Sequence, residues 1–329
     1  GKLNGASKES LLRRLAAIPG IYVPGLYQVQ YDVSGLFKEI SPTTAEASPR
    51  VERRIVGKLP PPPTHPVVPY LEAIHDRGAI EIQRGCSRGC RFCQAGIFYR
   101  PVRERSQQEV IWALGELISN CGYSEVSLVS LSSSDYPHID ELVERLFRRY
   151  QADNLVLSLP SLRIDNFSVR LLDSLAAHKK TGLTFAPEAG SERLRRTINK
   201  NTSDDTILET AAEAFARGWS GLKLYFMLGL PTETTTDIEA IIKLVERISI
   251  LGRTVKGRRP QIRISLSTFV PKPHTPFQWV AQESEQQLCT KHELLKQGLR
   301  RKDVHLSWQE PKVSLLEAAL SRGDRRLGS

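Results

Sequence analysis

From residue 79 onward, short apolar runs alternate with longer segments whose apolar positions recur every three or four residues. The short runs are Ala79–Gln83, Val126–Leu131, Leu155–Leu159, Leu183–Ala186, Leu222–Leu228 and Ile262–Val270. The fifth is nearly all apolar, as a parallel strand covered on both faces should be. Between the runs lie helical stripes. Ser106-Gln107-Gln108-Glu109 reads as a capping box ahead of Val110, Ala113, Leu114, Leu117 and Ile118. Further helices are predicted over Ile139–Tyr150, around Val169, Leu172, Leu175 and Ala176, over Ser191–Ile198 and Asp204–Ala216, and around Ile238, Ile241, Ile242, Val245 and Ile248. Six strand–helix units in a row predict a parallel sheet curved into an open partial barrel of the α/β class.

The flanks are patterned differently. Residues 1–58 offer one helix, Lys8–Ala17 with Ser7 as N-cap, and strand-like runs at Ile21–Val23 and Arg54–Val56. Leu59-Pro60-Pro61-Pro62-Pro63 is a stiff polyproline spacer. We therefore expect a lead-in over 1–63, a core over 64–280 and a C-terminal α/β extension over 281–329. The extension holds a helix near Glu285–Arg301, a seventh strand at Val304–Trp308 and a helix over Val313–Leu320. The first residue is Gly rather than Met, which suggests a segment cut from a longer protein.

Composition narrows the setting. Of 329 residues 40% are apolar, enough for a large core, and no run is long and apolar enough to span a membrane. No secretory signal pattern opens the chain. The net charge of +10 admits an anionic partner such as RNA. Its basic groups (Arg145, Arg148, Arg149; Lys256, Arg258, Arg259; Lys296, Arg300, Arg301, Lys302) lack interleaved aromatics and read first as solvated faces.

Three of the five cysteines fall within Arg84-Gly85-Cys86-Ser87-Arg88-Gly89-Cys90-Arg91-Phe92-Cys93, just after the first strand. Clustered thiols with Cys121 and Cys289 isolated suit metal ligation in a reducing cytoplasm better than disulfides. A structural zinc wants four closed ligands, and no second Cys pair is present. A [4Fe–4S] cluster held by three thiolates keeps one iron open. A zinc loop and three unconnected buried cysteines are the competing readings.

The C-x₃-C-x₂-C spacing, with Phe92 before the last Cys, resembles the signature of the radical S-adenosylmethionine (radical SAM) superfamily. The resemblance implies an open six-stranded core and a [4Fe–4S] cluster on Cys86, Cys90 and Cys93. It also implies reductive cleavage of SAM to a 5′-deoxyadenosyl radical, and a reductant such as flavodoxin or ferredoxin. It gives roles to the residues at the strand ends. Ser132-Ser133-Ser134-Asp135 stands where relatives carry a Gly-Gly-Glu-like loop that holds the methionine amino group mostly through backbone groups. Ser161 and Arg163 fall where polar contacts to SAM occur. Pro187-Glu188-Ala189-Gly190-Ser191-Glu192 is similar to a stretch in the branch that includes tRNA methylthiotransferases and oxygen-independent coproporphyrinogen oxidases. That similarity places Glu188 by the ribose and Lys200, where relatives have Arg, on the methionine carboxylate. Met227 and Gly229 in Tyr225–Pro231 correspond to the adenine wall, and Val270 to a backbone reader of adenine. The wider pattern resembles an uncharacterised subgroup whose members commonly carry a cobalamin-binding-like domain ahead of the core. Residues 1–58 would be the trailing edge of that domain, and cobalamin a further cofactor.

The expected function is radical-initiated group transfer or C–H functionalisation of an unknown substrate. An RNA-modifying methyltransferase or methylthiotransferase is the alternative, and a non-catalytic Fe–S or zinc RNA-binding protein is the alternative of another class.

Overall fold

The computed structural model describes residues 5–71, 76–150, 155–160, 162–164, 171 and 183–328. The chain divides into two compact units, Gly1–Leu59 and Pro60–Ser329.

In the first unit, Ser7 caps helix α1 (Lys8–Ala16) by accepting from the Ser10 amide. Strands β1 (Tyr27–Tyr31) and β2 (Phe37–Pro42) pair antiparallel. The expected runs at 21–23 and 54–56 are not strands. What decides the hairpin is its turn: Asp32 accepts from the amides of Ser34 and Leu36, and Gly35 sits at φ +79°. Ile21 and Val23 instead fill a small core with Ala16, Leu26, Tyr27 and Ala47.

In the second unit, β3 (Gly78–Glu81) leads into a two-residue strand β4 (Gln83–Arg84), the cysteine loop and a short helix α2 (Gln94–Phe98). Strand β5 (Arg103–Glu104) then pairs back antiparallel onto β4, closing a ribbon around the loop. Helix α3 (Gln107–Cys121) starts at Ser106, whose hydroxyl accepts from the Glu109 amide, and ends on left-handed Gly122. The return half of the expected capping box is diverted, because the Glu109 carboxylate takes the Arg105 guanidinium. Strand β6 (Glu125–Val129), helix α4 (Ile139–Tyr150) and strand β7 (Val156–Ser158) follow. The helix expected around Val169 and Leu172 lies outside the described residues, as does Ser161.

The remainder is β8 (Leu183–Glu188), α5 (Glu192–Thr197), α6 (Asp204–Ala216), β9 (Gly221–Leu228), α7 (Thr235–Lys256), β10 (Gln261–Thr268), α8 (Glu285–Gly298), β11 (Val304–Trp308) and α9 (Pro311–Arg322). Strands β3-β6-β7 form one parallel sheet and β11-β10-β9-β8 another. Together they form the open partial barrel expected, with β11 extending it beyond six units.

Alternation sets the two faces. Leu222, Leu224, Phe226, Leu228, Ile262, Ile264 and Leu266 pack with Ile207, Ile238, Ile241, Val245, Ile248 and Leu288 of the helices. The other half-sheet does the same through Ile80, Val126 and Leu128 against α3 and α4. The intervening residues of every strand therefore face the inner side.

Candidate functional site

The cysteine loop leaves the C-terminal end of the first strand pair, where the polar ends of parallel strands collect. Its sharp turns need glycine. Gly85 sits at φ +93°, and a Cβ there would lie 2.5 Å from the Tyr99 carbonyl oxygen. Gly89 sits at φ +70°, and Asn199 donates to the carbonyls of Arg88 (3.1 Å) and Gly89 (3.0 Å). Arg88 grips both carboxylate oxygens of Asp135 through Nε and Nη2 of its guanidinium. The loop is thus pinned to the turn after β6 and to the C-terminal end of the helix Glu192–Thr197.

Cys86, Cys90 and Cys93 are all half-buried, with no disulfide. Cys93 caps α2, its sulfur accepting from the Gly96 amide at 3.3 Å. Burial pushes the Cys93 thiol up; the Gly96 N–H opposes this, while the fields of Cys90, Cys86 and Glu188 add to it. Asn199, which holds the loop carbonyls, is followed directly by Lys200, the partner of Glu188, so that pair lies beside the cysteine loop. Among the described residues no three His, Cys, Asp or Glu side chains are set to ligate a single metal ion. A cubane takes one thiolate per iron, so the donor set fits it better than a single zinc.

Around the loop the strand-end residues converge. Ser132, Ser133 and Ser134 are buried, and Ser133 shares its hydroxyl with Ser130 at 3.2 Å. The Ser132 hydroxyl is buried without a hydrogen-bond partner, the kind of orphan that a polar ligand would satisfy. Ser134 accepts from the Arg163 amide at 3.0 Å, and the Arg163 guanidinium approaches the Cys90 sulfur at 3.9 Å. Glu188 ends β8 at φ +69°, a left-handed conformation that costs a non-glycine residue energy. Its carboxylate accepts from the Lys200 ammonium at 3.0 Å, and both side chains are mostly buried. The two residues therefore meet, paired to each other, near the thiols.

Phe92 and Met227 pack with Ala189, Leu194, Ile198, Leu230 and Phe269 in one apolar cluster under the loop. Gly229 sits at φ +80°, its amide donating to Glu233 at 2.9 Å, and Val270 is buried just beyond β10.

Sequence reasoning missed three supporting groups. Arg195 is fully buried and donates to the carbonyls of Thr202, Ala189 and Gly190 while pairing with Asp204. It clamps both ends of the segment carrying Glu188 and Lys200, and its own carbonyl accepts from the Lys200 amide at 2.8 Å. Asp237 joins Ser191, Arg193 and Thr234; burial works against its charge, but these hydrogen bonds hold its carboxyl below the usual range. Lys291 binds Glu233 and Glu283 at 2.5 Å each behind Gly229. Burial pushes the Glu233 carboxyl up despite its bond to Lys291. Arg195 and Lys291 read in sequence as ordinary helix cations. Only Gly190 carried a signal: a Cβ there would sit 2.3 Å from the Ile241 amide nitrogen.

An open parallel α/β barrel with three clustered thiols at its mouth defines a class of cofactor-dependent enzyme. The model of the radical SAM superfamily matches residues 80–245, just over half of the chain, and the chain belongs to that superfamily of enzymes. An uncharacterized protein of Methanocaldococcus jannaschii is 34% identical over 248 residues, covering 75% of this chain and 52% of the relative. Ribosomal protein uS12 methylthiotransferase RimO of Thermotoga maritima is 24% identical over 179 residues, covering 51% of this chain and 41% of the relative. The chain thus spans about half or less of the length of these relatives. Among solved structures, the radical SAM methyltransferase TsrM of Kitasatospora setae, with cobalamin and a [4Fe–4S] cluster bound, shares the fold. Its TM-score is 0.50 at 17% identity, covering 61% of this chain and 38% of TsrM. No helix among the described residues is long and apolar enough to cross a membrane.

Proposed function

We propose that this chain is the catalytic core of a radical SAM enzyme that transfers a one-carbon or sulfur-containing group to its substrate, or functionalises a C–H bond in it. Cys86, Cys90 and Cys93 hold a [4Fe–4S] cluster, and SAM occupies the strand ends around it. When bound, the cluster and SAM supply a 5′-deoxyadenosyl radical. The chain's own residues do the rest. Ser132 offers its unpartnered hydroxyl to the methionine amino group, beside the buried Ser133–Ser134 turn. Lys200 turns from Glu188 to the methionine carboxylate, freeing Glu188 to accept from the ribose hydroxyls. Phe92, Met227, Gly229 and Val270 wall the adenine side, and Arg163 keeps a positive charge beside Cys90.

The observation that carries this reading is the three-cysteine loop held by Asn199 beside the buried Glu188–Lys200 pair at the mouth of a parallel open barrel. Similarity to methylthiotransferases and the charge of +10 favour RNA or a ribonucleoprotein as substrate, in the cytoplasm, with flavodoxin or ferredoxin as electron donor. Cobalamin would come from a domain outside this chain, of which residues 1–58 would be the trailing edge.

Anaerobic reconstitution tests the reading. The protein should bind about four iron and four sulfide per chain and release 5′-deoxyadenosine from SAM on reduction. Alanine at Cys86, Cys90 or Cys93 should abolish both, while Cys121→Ala and Cys289→Ala should not. Protein that keeps zinc and takes up no iron under these conditions would sink the proposal.

A further inference from the structure

The inner face of the β9–β11 half-sheet carries a row of cationic and basic side chains in register. Lys223 of β9 lies opposite Arg263 of β10, and Arg263 lies opposite His305 of β11. Neighbouring strands are about 4.8 Å apart, so these side chains stand side by side. All three face away from the helices, because Leu222, Leu224, Ile262 and Ile264 point into the helix-packed core, with Val304 and Leu306 against it. Like charges on adjacent strands repel, and folds normally avoid or neutralise such pairs.

Neutralisation is what happens elsewhere on the inner face. Glu81 pairs with Arg84, Glu125 with Arg77, and Glu188 with Lys200. Among the described residues no carboxylate pairs with Lys223, Arg263 or His305; Lys223 is half-buried, and Arg263 and His305 are open to solvent. The next layer towards the barrel mouth is Tyr225, Ser265 and Ser307, which are uncharged. Lys223 leans into that layer, its ammonium 4.7 Å from the centre of the Tyr225 ring. The ammonium is thus aimed along the strand towards the end where Met227 and the thiols lie. Two residues of strand separate successive layers, about 6.6 Å, so the row sits about 13 Å below Met227. That interval accommodates a substrate whose reacting carbon lies at the mouth and whose polar end points down the barrel.

We propose that Lys223, Arg263 and His305 form an oxyanion-binding row that holds a phosphate or carboxylate of the substrate on the solvent-open inner side of β9–β11, near the strand starts. Arg263 supplies the planar fork, Lys223 a mobile point charge, and His305 a further donor at the edge strand. The bound anion removes the repulsion along the row and sets the distance of the substrate from the strand ends. The proposal rests on the reading of those ends as the SAM site, but it is tested apart from it.

Inorganic phosphate and citrate, titrated calorimetrically at low salt, are the probes. Saturable binding is expected, weakened about tenfold or more by Arg263→Gln and by Lys223→Gln, as loss of a charge-assisted hydrogen bond would produce. Arg263→Lys should retain most of the affinity, and Arg258→Gln, on the loop before β10, should leave it unchanged. Tighter binding of phosphate than of citrate assigns a phosphorylated substrate, and the reverse order assigns a carboxylate. Iron content and SAM affinity should be unaltered in the row variants, so the two assignments stand or fall separately. Absence of saturable binding to the wild type, or equal binding by both Gln variants, overturns the row. Phosphate binding that persists in protein unable to take up iron or SAM keeps the row and removes the SAM reading.

Discussion

The residue with the most to reveal is Glu188, which holds a left-handed backbone angle of +69° and a buried cation at the same time. Strain of this kind persists only where the surroundings over-determine it. Here Arg195 ties down the chain on both sides. On the proposed assignment, Lys200→Ala weakens SAM binding by about 1.5–3 kcal/mol, the usual worth of a hydrogen bond to a charged group. Lys200→Arg keeps most of it, and Glu188→Gln is milder than Glu188→Ala; titration of the iron-loaded variants with SAM measures all of these. Lys200→Ala binding as wild type would make the lysine a partner of Glu188 alone. Ser132 makes the complementary case. Removing an unpartnered buried hydroxyl should stabilise the apo protein, by about 1 kcal/mol. The same Ser132→Ala change should weaken SAM binding, so urea melts and SAM titration should move in opposite directions. A loss of stability with unchanged SAM affinity would mean that the hydroxyl serves the fold.

At the scale of elements, caps and aromatic contacts can be separated from the site. Ser106 starts α3 with its hydroxyl on the Glu109 amide, while Glu109 is committed to Arg105. Ser106→Ala should therefore cost roughly 1 kcal/mol as a lost N-cap, with little change in SAM affinity. Glu109→Gln should act through Arg105 rather than through the cap. Helix α8 and strand β11 are joined by His292, stacked on Trp308 at 5.1 Å. Burial lowers the His292 pKa below its usual value, against the weaker pull of Glu310 and Glu293. The folded state thus holds fewer protons than the unfolded one just below pH 6.5. The associated stability is present above that pH and is lost as the pH falls through the folded pKa. Urea melts of the apo protein between about pH 7 and 5 should show this slope in the wild type and a flatter one in His292→Gln.

On the scale of the whole molecule, the two half-sheets divide the labour. The β3-β6-β7 half brings the cysteine loop, the serine turn and Arg163, while the β8–β11 half brings Glu188, Met227, Gly229 and the cationic row. Each contributes an apolar core of its own on the helix side. The site between their strand ends can therefore be remodelled by polar substitutions without reaching either core. Iron loading should accordingly survive Arg263→Gln and fail in Cys90→Ala, with both proteins folded by circular dichroism.

The amino-acid sequence by itself determined the alternation of strands and helices, because burial of one helix stripe leaves a three-to-four-residue period while a buried strand leaves a short apolar run. It also determined the Cys86–Cys93 loop, because those cysteines are close together along the chain. That Glu188 and Lys200 lie close together was legible through a motif, not through periodicity; that they pair with each other was not. The tertiary structure alone decided the hairpin at Tyr27–Pro42, the β4–β5 ribbon around the cysteines, and the diversion of Glu109 from its cap. It alone brought Arg195 and Lys291 into burial and set Lys223, Arg263 and His305 side by side. Those facts depend on pairing between distant segments, and strand register and the partners of long cations are fixed only when the sheets and helices pack.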